Sequence, residues 1–437
     1  MSDAPPRPFA DRLVPAWFTE ARFGIFVHWG PFTIPAWAEA GPDPFTLGAE
    51  HGWEYAMAHN PYSEWYWNTS SIPGTSAAEH HARDWAGCDY GDFVARFRET
   101  SARLDADAWA GVFAGAGARY VVLVTKHHDG FTLWPTETPN PHRPAWASER
   151  DLVGDVADAV RARDMRFGVY YSGGLDWTFG GLPMTDFNGM VQAIPRTPEY
   201  AAYIAAHWNE LIARYEPSVL WNDIYHPPGA DDANALFARF YAAVPDGVVN
   251  DRFGIMGIPD PNTHADYTTP EFSTLDHIAE LPWETCRGMG SGFGYNANEP
   301  DSALLSASAI VALLADVASK NGNLLLNVGP MADGTIPAAQ IDRLREVGAW
   351  LTDHGEAIYG TRPWHEGGFG AVTTDGRAVR FTVAGNGSER YAIVCGPGPE
   401  VGLEDISGAA VPLPSGQFGD AHHLGRPDDR LAPVIRF

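Results

Sequence analysis

The segment Val121–Trp134, VVLVTKHHDGFTLW, changes abruptly from apolar to polar. Its first half has four apolar, mostly β-branched residues followed by a threonine, a composition that is typical of a buried β-strand. Its second half places Lys126, His127, His128 and Asp129 in a row. The pattern predicts a strand that ends at a polar site, and the adjacent histidines raise the question of whether this site binds a metal ion.

Seven further segments resemble this strand, and helix-like segments lie between most of them. The eight strand candidates are Arg22–His28, Tyr120–His127, Arg166–Ser172, Ser218–Asp223, Val248–Arg252, Ala265–Glu271, Trp283–Gly288 and Asn323–Val328. Such alternation predicts a parallel sheet, and eight units in about 340 residues fit an α/β fold of the (β/α)₈ TIM-like barrel type. An open doubly wound sheet is the alternative, but the first strand is followed by HWGPF rather than by a glycine-rich phosphate loop.

The texture of the sequence changes near Trp364. Before this residue, a long insertion rich in Pro, Gly and Trp is predicted to be irregular up to about Asp89, and Phe93–Ala116 has the spacing of one helix. After it, short alternating runs separated by Gly and Pro predict a small all-β domain of the β-sandwich type. We therefore predict a barrel domain over residues 1–362 and a C-terminal β-sandwich over residues 363–437.

Composition limits the partners that we expect. The chain has 437 residues and a net charge of −26, which disfavours nucleic acid and anionic membrane surfaces as partners. No run of about 18 apolar residues suggests a transmembrane helix. The first residues lack the pattern of a signal peptide, and the three cysteines are widely spaced, so we expect a cytoplasmic protein with reduced thiols.

Polar residues gather at the ends of six predicted strands. In a barrel of parallel strands these C-terminal ends meet at one face, where active sites lie. The residues concerned are His28, His127 and His128, Tyr171, Trp221-Asn222-Asp223, Asn250-Asp251-Arg252, and Glu271. One such residue alone would most simply be a satisfied polar group at a strand end, but six strands together favour one shared polar site.

Two carboxylates at this face, Asp223 and Glu271, suggest a chemistry. Glycoside hydrolysis uses such a pair, one group as acid and the other as nucleophile or base, and their separation decides between retention and inversion of configuration. The alternatives are that Asp223 is a buried partner of Arg252 and that Glu271 is an ordinary loop carboxylate. Glu284 and Glu64 are rivals for the role of the acid.

Metal binding by His127 and His128 is disfavoured. Adjacent residues on a regular strand face opposite sides, so both could ligate one ion only if the strand has ended. Zinc-binding spacings and the G-x-S-x-G motif of serine hydrolases are absent from the sequence. Neutral imidazoles donate and accept hydrogen bonds, as sugar hydroxyls require. We predict that these histidines bind a sugar and that no metal ion or other cofactor is needed.

Several long motifs occur together and in order. They are FGIFVHWGPFTIPAW, NPYSEWYW, YVVLVTKHHDGFTLWP, RFGVYYSGGLDW, VLWNDI, VNDRFG and NGNLLLNVGPMADGTIP. From about residue 17 to residue 364 the chain resembles the α-L-fucosidases of glycoside hydrolase family 29, most closely the bacterial enzymes with broad aryl-fucoside activity. The resemblance implies an exo-acting, retaining α-L-fucosidase that forms a covalent fucosyl-enzyme, acts on an α-L-fucosylated glycan or glycoside and needs no cofactor. It is compatible with a homo-oligomer.

The resemblance also implies roles for particular residues. The nucleophile of the family matches Asp223 in LWNDI, and the acid/base matches Glu271 in TTPEF, with Glu284 nearby as the rival. The residues implied to bind fucose are His28, Glu64, Trp65, His127, His128, Tyr171, Trp221, Arg252 and Phe293. Because fucose has no hydroxyl at C6, its pocket needs one apolar wall, which Trp65, Trp221 and Phe293 could form.

Two other functions stay open at this point. One is a barrel glycosidase for another sugar, such as an α-galactoside, and the other is a sugar-binding protein without catalysis. The paired carboxylates disfavour the second. The linkage in the natural substrate depends on the loops around the site, including the Trp37–Asn68 insertion, whose structure the sequence does not predict.

Overall fold

A curled sheet of seven parallel strands forms the larger part of the molecule. The computed structural model describes residues 9, 11–227, 233–255, 263–399, 401–410, 422–424 and 431–437. The strands are β1 (Phe23–Val27), β2 (Tyr120–Lys126), β3 (Arg166–Ser172), β4 (Val219–Asp223), β5 (Val248–Val249), β6 (Trp283–Gly288) and β7 (Gly322–Val328). They lie side by side in the order β5-β4-β3-β2-β1-β7-β6.

The strands are buried on both faces, which is why most of them are largely apolar. The exception is β6, which contains Glu284, Thr285 and Arg287. Alternate residues enter two different clusters. Phe167 and Val169 of β3, for example, pack in the layer between the sheet and the helices, whereas Tyr170 packs inside the curl with Trp221 of β4. The register pairs Tyr170 with Trp221, so the two side chains project from the same face of the sheet.

The predicted sixth strand is not a regular strand. The described residues between β5 and β6 make only isolated parallel bridges, from Tyr267 to Asn250, from Thr268 to Trp283 and from Glu271 to Cys286. Pro270 interrupts this segment, and a proline has no N–H to donate to a ladder of strands. Among the described residues the prediction of eight regular strands is therefore corrected to seven, with an irregular segment between the two edge strands.

Helices connect most of the strands and cover the outside of the sheet. They are α1 (Ala16–Ala21), α2 (Pro44–His51), α3 (Trp53–Ala58), α4 (Tyr66–Ser71), α5 (Ser76–Asp84), α6 (Tyr90–Ser101), α7 (Ala106–Gly115), α8 (Leu152–Arg161), α9 (Phe187–Ala193), α10 (Pro198–Tyr215), α11 (Ala233–Ala243), α12 (Ala307–Ser319) and α13 (Ala338–His354). The 3.6-residue spacing of apolar residues in the sequence predicts three of these helices, α10, α11 and α13.

Two expectations about the helices are corrected. The insertion after β1 is not irregular, because it contains the four short helices α2 to α5. The segment Phe93–Ala116 is not one helix, because α6 ends at Ser101 and α7 begins after Asp105. The Asp105 side chain accepts a hydrogen bond of 2.9 Å from the Ala108 N–H, and this N-cap starts a new helix at that point.

The end of the chain forms a separate antiparallel sheet. Its strands are β8 (Thr361–Pro363), β9 (Gly370–Thr373), β10 (Ala378–Ala384), β11 (Arg390–Val394), β12 (Ile406–Ser407), β13 (His422–Leu424) and β14 (Val434–Arg436), in the order β12-β9-β10-β11-β14-β13, and β8 also pairs with β10. Val379 and Phe381 belong to a core cluster of its own. The described residues form one sheet, so the two-sheet sandwich stays a prediction.

Helix α12 lies between the two sheets. Its residue Asp316 accepts hydrogen bonds from Arg380 on β10 and from Lys320 after the helix, at 2.5 and 2.7 Å. By length and composition alone, the segment Asp301–Ser319 could cross a membrane. In the fold, however, one face of its helix, which includes Ile310, Val311 and Leu314, is buried in the core.

Candidate active site

A deep cleft opens at the C-terminal ends of the parallel strands. It encloses about 760 Å³ of space, its open mouth included. Ten of the eleven residues predicted for the site line it: His28, Glu64, Trp65, His127, His128, Trp221, Asp223, Arg252, Glu271 and Phe293. Residues that are far apart in the chain therefore meet because parallel strands end at one face of the sheet.

Asp223 is the last residue of β4, and its carboxylate is held from three directions. Oδ1 accepts from Arg252 Nη1 at 3.0 Å and from the Ile224 N–H at 2.9 Å, and Oδ2 accepts from the Tyr170 hydroxyl at 2.8 Å. Burial by itself would raise the pKa of Asp223, but the positive charge of Arg252 and the bonds from its neighbours hold the pKa below its usual value. Asp223 is therefore ionised over a wide pH range.

Glu271 shares the same arginine. Its Oε2 lies 2.9 Å from Arg252 Nη2, and its Oε1 accepts from the Tyr62 hydroxyl at 2.7 Å. Burial and the negative charge of Asp223 raise the pKa of Glu271 above its usual value, in spite of the arginine. Two carboxylates on one guanidinium thus have pKa values that are shifted in opposite directions, which is how acid and base roles are separated in enzymes.

Glu284, the rival of Glu271, does not line the cleft. It is fully buried on β6, where its oxygens accept from the Tyr120 hydroxyl and from Trp221 Nε1. Glu271 is level with Cys286, and Glu284 lies two residues nearer the N-terminal end of β6, a distance of about 6.6 Å along the strand. Glu284 therefore lies beneath the floor of the cleft and supports Trp221 from below.

Two histidines present an acceptor nitrogen to the cleft. The Asn327 amide donates to the Phe293 carbonyl, so its Oδ1 accepts from His28 Nδ1–H at 2.7 Å. The Ser172 hydroxyl donates to the Leu175 carbonyl at 2.7 Å and accepts from His128 Nδ1–H at 2.6 Å.

With Nδ1 protonated and the rings neutral, Nε2 of each histidine carries a lone pair. Burial lowers the pKa of His28 to about 3 and that of His128 to about 4, so both rings stay neutral near pH 7. His128 Nε2 lies 3.9 Å from Asp223 Oδ2. A hydroxyl group of a ligand has one O–H and can donate it to either of these two acceptors.

His127 reaches the same cleft because the strand ends before it. β2 stops at Lys126, and the pairing of β2 with β3 shifts register between Val124 and Lys126. The rings of His127 and His128 lie 4.0 Å apart between centroids, and both line the cleft. Burial holds the pKa of His127 well below its usual value, so this ring is also neutral.

Glu64 and Phe293 lie next to each other in the wall of the cleft. Glu64 accepts from the Gly294 N–H at 2.8 Å and from the Phe293 N–H at 3.4 Å. Its burial raises the pKa of Glu64 to about 7. The Phe293 ring packs 4.7 Å from the His28 ring between centroids. A carboxyl group and an aromatic face are thus presented side by side.

The expectation for Tyr171 is wrong, and its neighbour Tyr170 takes the place in the cleft. Tyr171 faces the helix layer, where its hydroxyl lies 3.0 Å from His207 Nδ1. Tyr170 lines the cleft and donates to Asp223. The side chains of a strand alternate between its faces, and only the register with Trp221 shows which tyrosine faces inward.

Sequence reasoning also missed groups that hold or extend the site. Tyr62 binds Glu271, and Ser172 and Asn327 orient the two acceptor histidines. Ser172 lies on β3 opposite Asp223 of β4. The alternation of side chains along β3 could have indicated it once Tyr170 was known to face inward. The apolar residues at the mouth of the cleft carried no signal, since they lie on α9 and on helices of the insertion that was expected to be irregular.

The side chains in the described part of the chain include no group of three or more His, Cys, Asp or Glu residues that could hold a metal ion. The His128 ring instead lies 5.2 Å from the Trp65 ring between centroids, and the His127 ring lies 5.9 Å from the Tyr170 ring. The independence of activity from metal ions stays a prediction.

A parallel α/β sheet with two unlike carboxylates among aromatic and imidazole groups is an arrangement that glycoside hydrolases use. The family described as alpha-L-fucosidase matches residues 4–356. The chain belongs to this α-L-fucosidase family, glycoside hydrolase family 29.

Similar proteins agree with this assignment over almost the whole chain. The bovine tissue alpha-L-fucosidase is 33% identical over 406 residues, which are 90% of this chain and 77% of the bovine protein. A Thermotoga maritima alpha-fucosidase in complex with fucose has a TM-score of 0.81 and 36% identity, covering 98% of this chain and 97% of the other. A Thermotoga maritima alpha-L-fucosynthase has a TM-score of 0.84, also with 36% identity, 98% of this chain and 97% of the other.

Proposed function

We propose that this protein is an exo-acting α-L-fucosidase that removes terminal α-L-fucosyl residues from glycans or glycosides with retention of configuration. The observation that carries the proposal is the arginine shared by two carboxylates. Arg252 contacts both Asp223 and Glu271, and the pKa of the first is lowered while that of the second is raised. One group is thereby prepared to attack and the other to donate a proton.

Asp223 is the nucleophile in this proposal. Its carboxylate attacks the anomeric carbon, the bond to the leaving oxygen breaks, and a covalent fucosyl-enzyme forms. Tyr170 and Arg252 hold the carboxylate and keep it ionised. Water then attacks the anomeric carbon and releases fucose, and the second inversion restores the original configuration.

Glu271 is the acid and then the base. Its raised pKa favours the protonated form, which gives its proton to the leaving oxygen in the first step. In the second step the carboxylate takes a proton from the attacking water and is restored. Tyr62, which binds Oε1, orients the group through both steps.

The position of the two carboxylates supports retention rather than inversion. Retaining enzymes keep the pair about 5–5.5 Å apart, and inverting enzymes leave about 6.5–9.5 Å for a water molecule. Asp223 and Glu271 bind the two terminal nitrogens of a single guanidinium, at 3.0 and 2.9 Å. A pair bridged by one planar group is compact, as retention requires.

The rest of the inner cleft fits the hydroxyls and the methyl group of fucose. The Nε2 atoms of His28 and His128 accept from hydroxyl groups, and Glu64 adds a further polar contact. Trp65 and Phe293 provide apolar surface for the C6 methyl group. A 6-hydroxyl of a galactose-type sugar would be left unpaired there, at a cost of about 1–3 kcal/mol.

We also infer that residues 265–271 act as the eighth strand of a barrel. Their parallel bridges reach Asn250 beyond β5 on one side and β6 on the other. Glu271 is the residue that this segment delivers to the cleft. Because the segment is irregular, the Glu271 side chain can reach Arg252.

Hydrolysis of an aryl α-L-fucoside, followed by ¹H NMR of the first sugar released, tests the proposal. We expect the α-anomer of fucose to appear first and to mutarotate later. Release of the β-anomer first would overturn retention, and an absence of release would overturn the activity. An α-L-galactoside, which adds only a 6-hydroxyl, is the matched control and should react more slowly by about 10- to 100-fold.

A further inference from the structure

The outer part of the cleft has a different chemistry from the inner part. The inner part is built from strand ends and contains the carboxylates and histidines. The outer part, here called the outer wall, is formed by six apolar side chains: Phe45, Trp53, Ala56, Met57, Phe187 and Met190. They come from α2, α3 and α9, helices that belong to the insertion after β1 and to the loop after β3.

The aromatic members of this wall lie where the cleft opens to solvent, whereas Ala56, Met57 and Met190 are buried. Asp223 is 8% exposed and Arg252 is 5% exposed, whereas Trp53 is 38% exposed and Phe45 and Phe187 are half-buried. The Trp53 ring lies 5.9 Å from Phe45 and 6.1 Å from Phe187 between centroids. Three aromatic rings from three helices thus meet at the rim of the same cleft.

The orientation of the substrate follows from the proposed function, on which this inference rests. An exo-acting enzyme places the terminal fucose in the closed inner part, against Asp223. The bond that breaks then points outward, and Glu271 protonates its oxygen. The aglycone, which is the group attached to that oxygen, therefore meets the outer wall.

The outer wall suits an apolar aglycone better than a sugar. Among its six side chains, only the Trp53 indole carries an N–H donor, although the amide of Asn60, two residues after α3, also lines the cleft. A second sugar would bring several hydroxyls to a surface with almost no hydrogen-bonding partners, and unpaired polar groups weaken binding. An aromatic or alkyl group would instead remove apolar area from water on both sides.

We propose that the outer wall is an aglycone-binding site for apolar groups, and that the preferred substrates are α-L-fucosides of aromatic or alkyl alcohols rather than fucosylated oligosaccharides.

A series of alkyl α-L-fucosides tests this preference. Methyl, hexyl and octyl fucosides have leaving alcohols of similar acidity, so differences between them report contact with the wall rather than bond-breaking chemistry. We expect kcat/KM to rise by about 10- to 100-fold from methyl to octyl. The rise should appear mainly in KM, because the contact exists in the ground state and in the transition state alike.

Two variants locate the effect. In Trp53→Ala the ratio of kcat/KM for octyl fucoside to that for methyl fucoside should fall about tenfold. Phe187→Ala should lower the same ratio and serves as the test if Trp53→Ala folds poorly. Tyr55→Ala is the matched control, because Tyr55 is an exposed aromatic residue on the same helix that does not line the cleft. Its ratio should equal that of the unmodified protein.

Three outcomes would overturn the inference. They are equal kcat/KM values along the alkyl series, an unchanged ratio in Trp53→Ala and Phe187→Ala, and faster hydrolysis of fucosyl disaccharides than of octyl fucoside. α-L-Fucosyl fluoride, which has no aglycone, separates this failure from failure of the proposed function. If the fluoride is hydrolysed and kcat/KM is equal along the alkyl series, only the aglycone inference fails. If the fluoride is not hydrolysed, the proposed function fails.

Discussion

The inner cleft and the outer wall belong to one site but differ in chemistry and in the elements that carry them. In the inner cleft, polar side chains stand at the ends of buried strands, and further buried groups orient them, as Asn327 does for His28 and Ser172 for His128. The outer wall is apolar, partly exposed and carried by short helices. In the proposed function the groups that act on the bond, Asp223 and the histidines, stand at strand ends, whereas the helices around the mouth contact what is attached to the sugar.

Asp223→Gly should have the largest effect and should show that the inner cleft performs the chemistry. Removing the nucleophile blocks the covalent route, so kcat should fall on the order of 10⁴- to 10⁶-fold. Azide fits the space of the lost carboxylate and should restore turnover of an activated aryl fucoside, giving a fucosyl azide. Turnover near that of the unmodified protein would refute the role of Asp223.

Glu271→Ala should have the next largest effect, and its size should depend on the leaving group. Fucosides with poor leaving groups should react about 10²- to 10⁴-fold more slowly, because their oxygen needs a proton, and activated aryl fucosides should lose much less. The comparison of kcat/KM across leaving groups measures this. The same leaving-group dependence in a Glu284 variant would transfer the acid role to Glu284.

The pH profile of kcat/KM provides a second measurement on the same pair. Glu271 must be protonated, so activity should be lost as pH rises through its pKa, which lies above the usual 4.5. Asp223 must be ionised, so activity should be lost as pH falls through its pKa, which lies below the usual 3.8. In Glu271→Ala the alkaline limb should disappear and the acid limb should remain.

Ser172→Ala should have a smaller effect and tests the groups that support the inner cleft. Without the Ser172 hydroxyl, His128 Nδ1–H loses its acceptor, and kcat/KM should fall about tenfold. ¹⁵N NMR of the ring nitrogens should show His128 shifting toward the tautomer with a proton on Nε2.

Ser63→Ala is the control for Ser172→Ala, since the Ser63 hydroxyl is buried without a hydrogen-bond partner among the described residues. It should leave the tautomer of His128 unchanged. An unaltered tautomer in Ser172→Ala as well would show that the serine does not orient the ring.

Glu284→Gln should have the smallest effect on activity, within about threefold, because glutamine still accepts from Trp221 Nε1. Its effect should appear in stability. Burial raises the pKa of Glu284 from 4.5 to about 7, so its stabilising contribution is complete below pH 4.5 and is lost as pH rises through about 7.

The free energy of unfolding should therefore fall by about 3 kcal/mol between these pH values on account of Glu284. Urea unfolding at several pH values should show a weaker decline in the glutamine variant than in the unmodified protein. Glu64, whose pKa is also raised to about 7, should preserve part of the decline. Identical declines in the two proteins would contradict this account.

The sequence by itself determined most of the parallel sheet and ten of the eleven expected residues of the cleft. The strand Arg166–Ser172 has the predicted bounds, because a strand buried on both faces is largely apolar and such a run is visible in the sequence. Trp283–Gly288 also has the predicted bounds, although three of its six residues are polar. The polar residues His28 and Asp223 could be brought together in prediction because the ends of parallel strands meet at one face.

Only the tertiary structure decided which side chains of a strand face the cleft and how far from its floor they lie. Tyr170 rather than Tyr171 faces the cleft, because the register of β3 with β4 selects one face. Glu271 rather than Glu284 reaches the cleft, because Glu284 lies about 6.6 Å deeper along β6. The outer wall formed when α2 and α3 of the insertion packed at the rim with α9, which follows β3. Packing between distant segments leaves no periodic signal in the sequence.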